Sequence, residues 1–219
     1  FTFMFKINYL KELHRKEKSG IGRSLTEEDL KKVLDLIPFS LTGDQLKAIQ
    51  EIFHDLNQTS RMNRLLQGDV GSGKTIVSIV AMYLNYLSGY QSALMAPTEI
   101  LATQHYQNIV QLFAKTDIRV ELLKGSQPKK EKLEVYKRLK NGEIDMIIGT
   151  HALIQEDVIY QNLGLVVTDE QHRFGVNQRA LLNNKGVMPD ILYMSATPIP
   201  RTYALTIYGD MDVSTIKEM

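Results

Sequence analysis

Gly68-Asp69-Val70-Gly71-Ser72-Gly73-Lys74-Thr75 satisfies the pattern G-x-x-x-x-G-K-[ST] at every position. The string constrains the fold strongly, because it works only as the turn between a strand and a helix. Leu65-Leu66-Gln67 before it reads as a short buried strand, and residues 76–87 after it have the length and apolar content of a buried helix. Glycines at 68, 71 and 73 let the backbone curl so that successive N–H groups point inward. That makes an anion nest at a helix N-terminus, where the helix dipole also favours phosphate. The expected ligand is a nucleoside triphosphate, with Gly68, Gly71, Ser72 and Gly73 as its cradle. Lys74 then reaches the β- and γ-phosphates, and the Thr75 hydroxyl is a ligand of Mg²⁺. A glycine-rich turn without a ligand is the bland alternative.

From Pro38 onward, short β-rich runs alternate with amphipathic helical runs. Strands are predicted at 65–67, 92–95, 118–122, 146–148, 165–168, 191–194 and 213–216, with helices at 45–56, 75–87, 100–113 and 129–139. That order implies βαβ units and an α/β fold: a mostly parallel β-sheet covered by helices on both faces. Right-handed crossovers bring the ends of several strands to one edge, where such sheets bind ligands. Residues 1–37 lack the alternation. Rich in Lys and Glu, with Leu25, Leu30, Val33, Leu34 and Ile37 at partly helical spacing, they read as a helical lead-in.

Composition narrows the classes further. With 43% hydrophobic and 23% charged residues the chain has ordinary globular content, and the absence of cysteine excludes disulfides and thiolate metal sites. No apolar run approaches the roughly 20 residues needed to span a bilayer, so no membrane partner is expected and the setting is cytoplasmic. A formal charge of +1 neither supports nor excludes nucleic acid as a partner. Because it starts at Phe1 and stops at Met219, just past a strand, the chain is expected to be a piece of something longer.

A phosphate loop needs a carboxylate for its metal, and the apolar run Leu165-Val166-Val167 leads into Thr168-Asp169-Glu170 at a strand end. Asp169 is the expected metal anchor, holding Mg²⁺ through water, and Glu170 the acid that polarises the attacking water. The alternative is a pair of solvated acids. Thr42-Gly43-Asp44-Gln45 is a capping box for the helix that follows, while the planar amide of Gln45 also suits the adenine edge. Both readings can hold.

Six strings then occur in order: Pro38-Phe39-Ser40-Leu41-Thr42 with Gln45, the phosphate loop, Ala96-Pro97-Thr98-Glu99-Ile100-Leu101-Ala102, Gly149-Thr150-His151, residues 169–176 and residues 194–202. The set resembles the first motor lobe of superfamily 2 DNA helicases, a RecA-like P-loop NTPase lobe, and is most similar to the bacterial branch-migration type. The transcription-repair coupling translocases share the last two strings; Gln171 and the pair Glu99-Ile100 favour the branch-migration type. The resemblance implies an ATP-dependent helicase (ATP hydrolase) in DNA repair and recombination, using ATP and Mg²⁺ on branched DNA such as forks and junctions. Residues 38–219 would be its ATP-binding lobe 1, and 1–37 a link from a preceding wedge domain. A second lobe and the wedge of the same parent chain would be partners, and the working unit a monomer.

On this resemblance Phe39 joins Gln45 at the nucleotide, and catalysis falls to Lys74, Asp169 and Glu170. Pro97, Thr98, Gly125, Ser126, Gly149 and Thr150 take the sugar-phosphate backbone, since Gly, Ser and Thr at strand ends offer N–H and hydroxyl donors without sequence preference. Ser126, before Gln127-Pro128, also reads as a helix N-cap. Coupling falls to Gln171, His172, Arg173, Ser195, Thr197 and Arg201. For Ser195 and Thr197 a hydroxyl-rich strand end is the alternative, and for Arg173 and Arg201 a buried ion pair. A small-molecule kinase would need a lid and acceptor pocket, and a purely DNA-binding module would not need Lys74, Thr75 and Asp169.

Overall fold

The computed structural model describes residues 20–169, 189–196 and 211–217. Seven strands form one sheet in the order β3-β4-β2-β5-β6-β1-β7: β1 Asn63–Gly68, β2 Gln91–Met95, β3 Val120–Leu123, β4 Met146–Gly149, β5 Leu163–Asp169, β6 Asp190–Ser195 and β7 Asp212–Ile216. Every pairing is parallel. The helices among the described residues are α1 Glu27–Leu36, α2 Gly43–Leu56, α3 Lys74–Leu87, α4 Glu99–Leu112 and α5 Lys129–Lys140, and a single 3₁₀ turn spans His151–Ile154. All seven predicted strands and four predicted helices are present, shifted by at most two residues at their ends.

Alternation along the strands shows how both faces are covered. Leu94, Ile148, Val167, Leu192 and Leu66 point into a core shared with α1, α2, α3 and α4. Their neighbours Ala93, Ile147 and Val166 face a second core with Val135 and Leu139 of α5, while Leu65, Ile191 and Tyr193 form a third. Strands buried on both sides read as continuous apolar runs, which explains their legibility. α3 is buried almost all round, from Val77 to Asn85, and lies against α1 and α2.

The described part of the lead-in is built into this core. Thr26 and Asp29 form a capping box that starts α1, whose Leu30 and Val33 are buried. Just before it, Arg23 is fully buried and forms an ion pair with Asp190 at the start of β6. Its other arm donates to Asn85 Oδ1 at 2.6 Å and to the Gly164 carbonyl at 3.0 Å, and its guanidinium lies over the Tyr90 ring. The second Asp190 oxygen accepts the Met62 N–H at 2.6 Å. The cluster ties the lead-in, α3, β5 and β6 together at the amino-terminal edge of the sheet.

Burial pushes the Asp190 carboxyl above the ordinary carboxylate range, with Arg23 and the Met62 N–H pulling the other way. Replacing Arg23 with Ala leaves a buried acid without its cation, which costs about 3–5 kcal/mol. Without Arg23 the Asp190 pKa rises further, and a group raised in the folded state loses its stabilising contribution as pH increases. Denaturant titrations should therefore show a larger penalty for Arg23→Ala at pH 8 than at pH 5. An equal penalty at both would mean that Asp190 is not the source.

Candidate functional site

β1 ends at Gly68 and α3 begins at Lys74, so the phosphate loop is the strand-to-helix turn the sequence requires. Gly73, the N-cap residue, has φ +85, and a Cβ there would lie 1.9 Å from Gln45 Nε2. A Cβ on Gly68 would lie 2.5 Å from Ser72 Oγ and 3.0 Å from the Ile216 carbonyl on β7. Backbone conformation favours glycine at 73, and the close approach of Ser72 and β7 crowds any Cβ at 68. The Ser72 N–H donates to the Asp69 carbonyl at 3.0 Å and closes the turn. No side chain caps α3 and no acid sits in its first turn. Its first N–H groups and the positive end of its dipole suit an anion, so the residues present fit a phosphate group. Lys74 Nζ arches back over the loop, donating to the carbonyls of Gly68 and Asp69 at 2.7 and 3.0 Å.

Beside the loop lies a cavity of about 970 Å³, lined by Phe39, Thr42, Gln45, Gly71, Gly73, Thr75 and, from the neighbouring helices, Asp35, Leu36, Asn108 and Gln111. It is large enough for a nucleoside. The capping box is fully formed: the Gln45 N–H donates to Thr42 Oγ1 at 3.2 Å, and Gln45 Oε1 accepts the Thr42 N–H at 2.9 Å. The amide Nε2 of Gln45 faces the carbonyls of Ser72 and Gly73 at 3.4 Å. Phe39 is 55% exposed at the cavity wall, a free apolar face beside the amide. The wall from α1 and α4 was not legible in the sequence, since Asp35, Leu36, Asn108 and Gln111 belong to no motif.

Asp169 closes β5, with β6 between it and the phosphate-loop strand. At the usual strand spacing that is about 10 Å from the end of β1. Its Oδ2 lies 2.9 Å from Nε2 of His105 on α4, and both side chains are largely buried. Sequence reasoning missed His105. The available signal was a polar residue on the buried stripe Ala102, His105, Ile109 of an amphipathic helix. Ser195, 3% exposed, closes β6 and pairs with Gln67 of β1. Glu170, Gln171, His172, Arg173, Thr197 and Arg201 lie outside the described residues.

The residues expected at the sugar-phosphate backbone gather at the carboxyl ends of the adjacent strands β3, β4 and β2. Leu123 and Met95 both pair with Gly149, so these ends are level. Thr98 caps α4, its Oγ1 accepting the Leu101 N–H at 3.2 Å, and Pro97 precedes it at the loop. Gly149 and Thr150 are buried, leaving His151 exposed beside them. Gly125 and Ser126 are exposed after β3. The N-cap role predicted for Ser126 is not found: Pro128 is the N-cap of α5. Ser126 instead donates its N–H and hydroxyl to the Glu99 carboxylate at 3.0 and 2.8 Å. A charged acceptor outcompetes the neutral backbone, and these bonds hold the Glu99 carboxyl below its ordinary range.

The DEAD/DEAH box helicase family model matches residues 42–206. Among curated proteins, the ATP-dependent DNA helicase RecG of Bacillus subtilis (strain 168) is 52% identical over 217 residues, covering 99% of this chain and 32% of the relative. RecG of Staphylococcus epidermidis (strain ATCC 12228 / FDA PCI 1200) is 51% identical over 219 residues, again covering 32% of the relative. The chain thus spans about a third of the length of these relatives. A RecG structure solved bound to a three-way DNA junction superposes with a TM-score of 0.82 at 46% identity, covering 98% of this chain and 29% of that one. The DUF1998 helicase MrfA shares the fold at 18% identity, with a TM-score of 0.64 over 86% of this chain and 32% of its own.

Two substitutions separate loop geometry from base recognition. Gly73→Ala forces both a left-handed residue and a clash with Gln45, so calorimetry should detect no ATP binding while the circular dichroism of the fold persists. Gln45→Ala should reduce the preference for ATP over GTP. Unchanged discrimination would leave Gln45 as a capping residue only.

Proposed function

The chain belongs to the DEAD/DEAH box helicase family, and from that premise we propose that it is the first, ATP-binding motor lobe of a RecG-type DNA helicase. The parent enzyme would hydrolyse ATP to remodel branched DNA in recombination and repair. The observation that carries this reading is the carboxyl edge of the sheet. One half of that edge holds a phosphate loop and Asp169, and the other half holds donor-rich loops at the ends of β2, β3 and β4. The likeness of 98% of the chain to a RecG solved on a three-way junction supports branched DNA as the substrate. The coupling-translocase alternative gains no support from these relatives. Chromosomal DNA as substrate gives a cytoplasmic location, and the wedge domain and second lobe would be supplied by the rest of a monomeric parent chain.

Lys74 would release the carbonyls of Gly68 and Asp69 and turn to the β- and γ-phosphates, while the N–H groups at the start of α3 take the oxygens facing them. The Thr75 hydroxyl and, through water, the Asp169 carboxylate would hold Mg²⁺. When bound there, Mg²⁺ would supply positive charge against the phosphate oxygens. Glu170 would polarise the attacking water. Gln45 and Phe39 would hold the base in the cavity beside the loop. At the other half, N–H groups and hydroxyls of Thr98, Gly125, Gly149 and Thr150, and those of Ser126 once they leave Glu99, would grip backbone phosphates, with Pro97, which has no donor, against the sugar, and with no reading of bases. Gln171, His172, Arg173, Ser195, Thr197 and Arg201 would relay nucleotide state to that grip and to the second lobe.

Calorimetric titration should show Mg²⁺-dependent binding of ATP or ADP that Lys74→Ala weakens severely; equal binding by both proteins would overturn the site assignment. DNA binding by this chain should be weak, indifferent to sequence and lost on adding salt, since a net charge of +1 can neutralise few phosphates. Hydrolysis should be near background and unaffected by DNA. The transition state would lack an arginine from the second lobe, a contribution of about 10³–10⁵ in rate in arginine-finger enzymes. Robust fork-stimulated turnover by these residues alone, abolished by Glu170→Gln, would show the catalytic unit to be complete here.

A further inference from the structure

His105 sits on the buried stripe of α4 between Ala102 and Ile109 and is itself 8% exposed. A polar ring in such a place is costly unless hydrogen-bonded. Its partner is Asp169 Oδ2 at 2.9 Å. Among the described residues, His105 is the side chain that hydrogen-bonds this carboxylate. A neutral imidazole donates from one nitrogen only, so this contact requires the proton on Nε2. The bond holds Oδ2 and restrains the rotation of the carboxylate, and among the described residues Oδ1 carries no such side-chain contact.

We propose that His105 is a positioning residue for Asp169, holding its carboxylate in the one orientation that keeps an oxygen available to a Mg²⁺-bound water. The proposal rests on the reading of Asp169 as the metal anchor. Outer partners that orient a metal-binding carboxylate commonly change metal affinity by about 10–100-fold when removed. Anchoring through water puts the effect expected here near the lower end, about 10-fold. His105 does not line the cavity beside the phosphate loop, so its loss should appear only where Mg²⁺ does.

The test compares His105→Gln with His105→Met in this chain. The two side chains have similar length and fill similar space, and only Gln can donate a hydrogen bond to Asp169. ADP affinity is measured calorimetrically across a Mg²⁺ series and in EDTA. His105→Met should need about 10-fold more Mg²⁺ to reach the high-affinity state, with ADP binding in EDTA unchanged, and His105→Gln should stay close to wild type. A ¹⁵N spectrum of the His105 ring should show Nε2 protonated, with a shift that moves when Mg²⁺ joins bound ADP but not with ADP alone. If Asp169→Asn changes the Mg²⁺ requirement and His105→Met does not, the positioning role is wrong and the anchor stands. If neither changes it, the anchor reading itself fails. Equal losses in His105→Met and His105→Gln, or a loss that persists in EDTA, would reduce His105 to a packing role.

Discussion

Parallel pairing is the constraint on which the rest of this molecule depends. When neighbouring strands run the same way, each must be reached by a crossover, and all carboxyl ends emerge on one edge. Here all six pairings among the described residues are parallel. The phosphate loop after β1, Asp169 after β5, Ser195 at the end of β6 and the loops after β2, β3 and β4 have no choice but to share that edge. The opposite edge is free for structural work. The buried Arg23–Asp190 pair lies there, where its charge cannot disturb a phosphate site.

Within the shared edge, the strand order divides the labour. β1, β6 and β5 are consecutive and carry the phosphate loop, Ser195 and Asp169; β2, β4 and β3 follow and carry the loops of Pro97 and Thr98, of Gly149 and Thr150, and of Gly125 and Ser126. The half that holds the phosphate loop is shaped by backbone more than by side chains. Gly73 is left-handed, and a Cβ on it would also run into the Gln45 amide, which is held there by its capping box with Thr42. A helix cap and a phosphate loop, which look like separate features in the sequence, are thus one packed unit. The cap fixes where the amide stands, and the amide limits what residue 73 can be.

Most of the fold and much of the site were legible because their signals are local. Fully buried strands announce themselves as apolar runs, and a phosphate loop is a contiguous string whose glycines have steric causes. The features that escaped depend on partners far away in sequence. Arg23 meets an acid 167 positions on; Ser126 bonds a carboxylate 27 positions back instead of capping its own helix; His105 pairs with Asp169 across 64 positions. In each case the residue type gave a hint, a charged or polar side chain at a place of burial or turning. The partner could be known only from the sheet order. The lead-in shows the same limit: its helix was visible in the spacing of Leu30 and Val33, but not that these side chains complete the main core beside α3.

α4 bears on how the two halves of the edge are connected. Thr98 caps it at the donor-rich half, and two turns later His105 reaches the acid of the half that holds the phosphate loop. The seven-residue step from Thr98 to His105 spans about 10 Å of helix. Ala102 and Ile109, completely buried, lock that span into the core. A short helix packed in this way has no soft joint between its first turn and its second, so it shifts or tilts as a body. A displacement at Thr98 is therefore felt at His105. The helix that starts beside the loops after β2 and β3 is thus the same element that contacts Asp169, so the two halves of the edge share one rigid part.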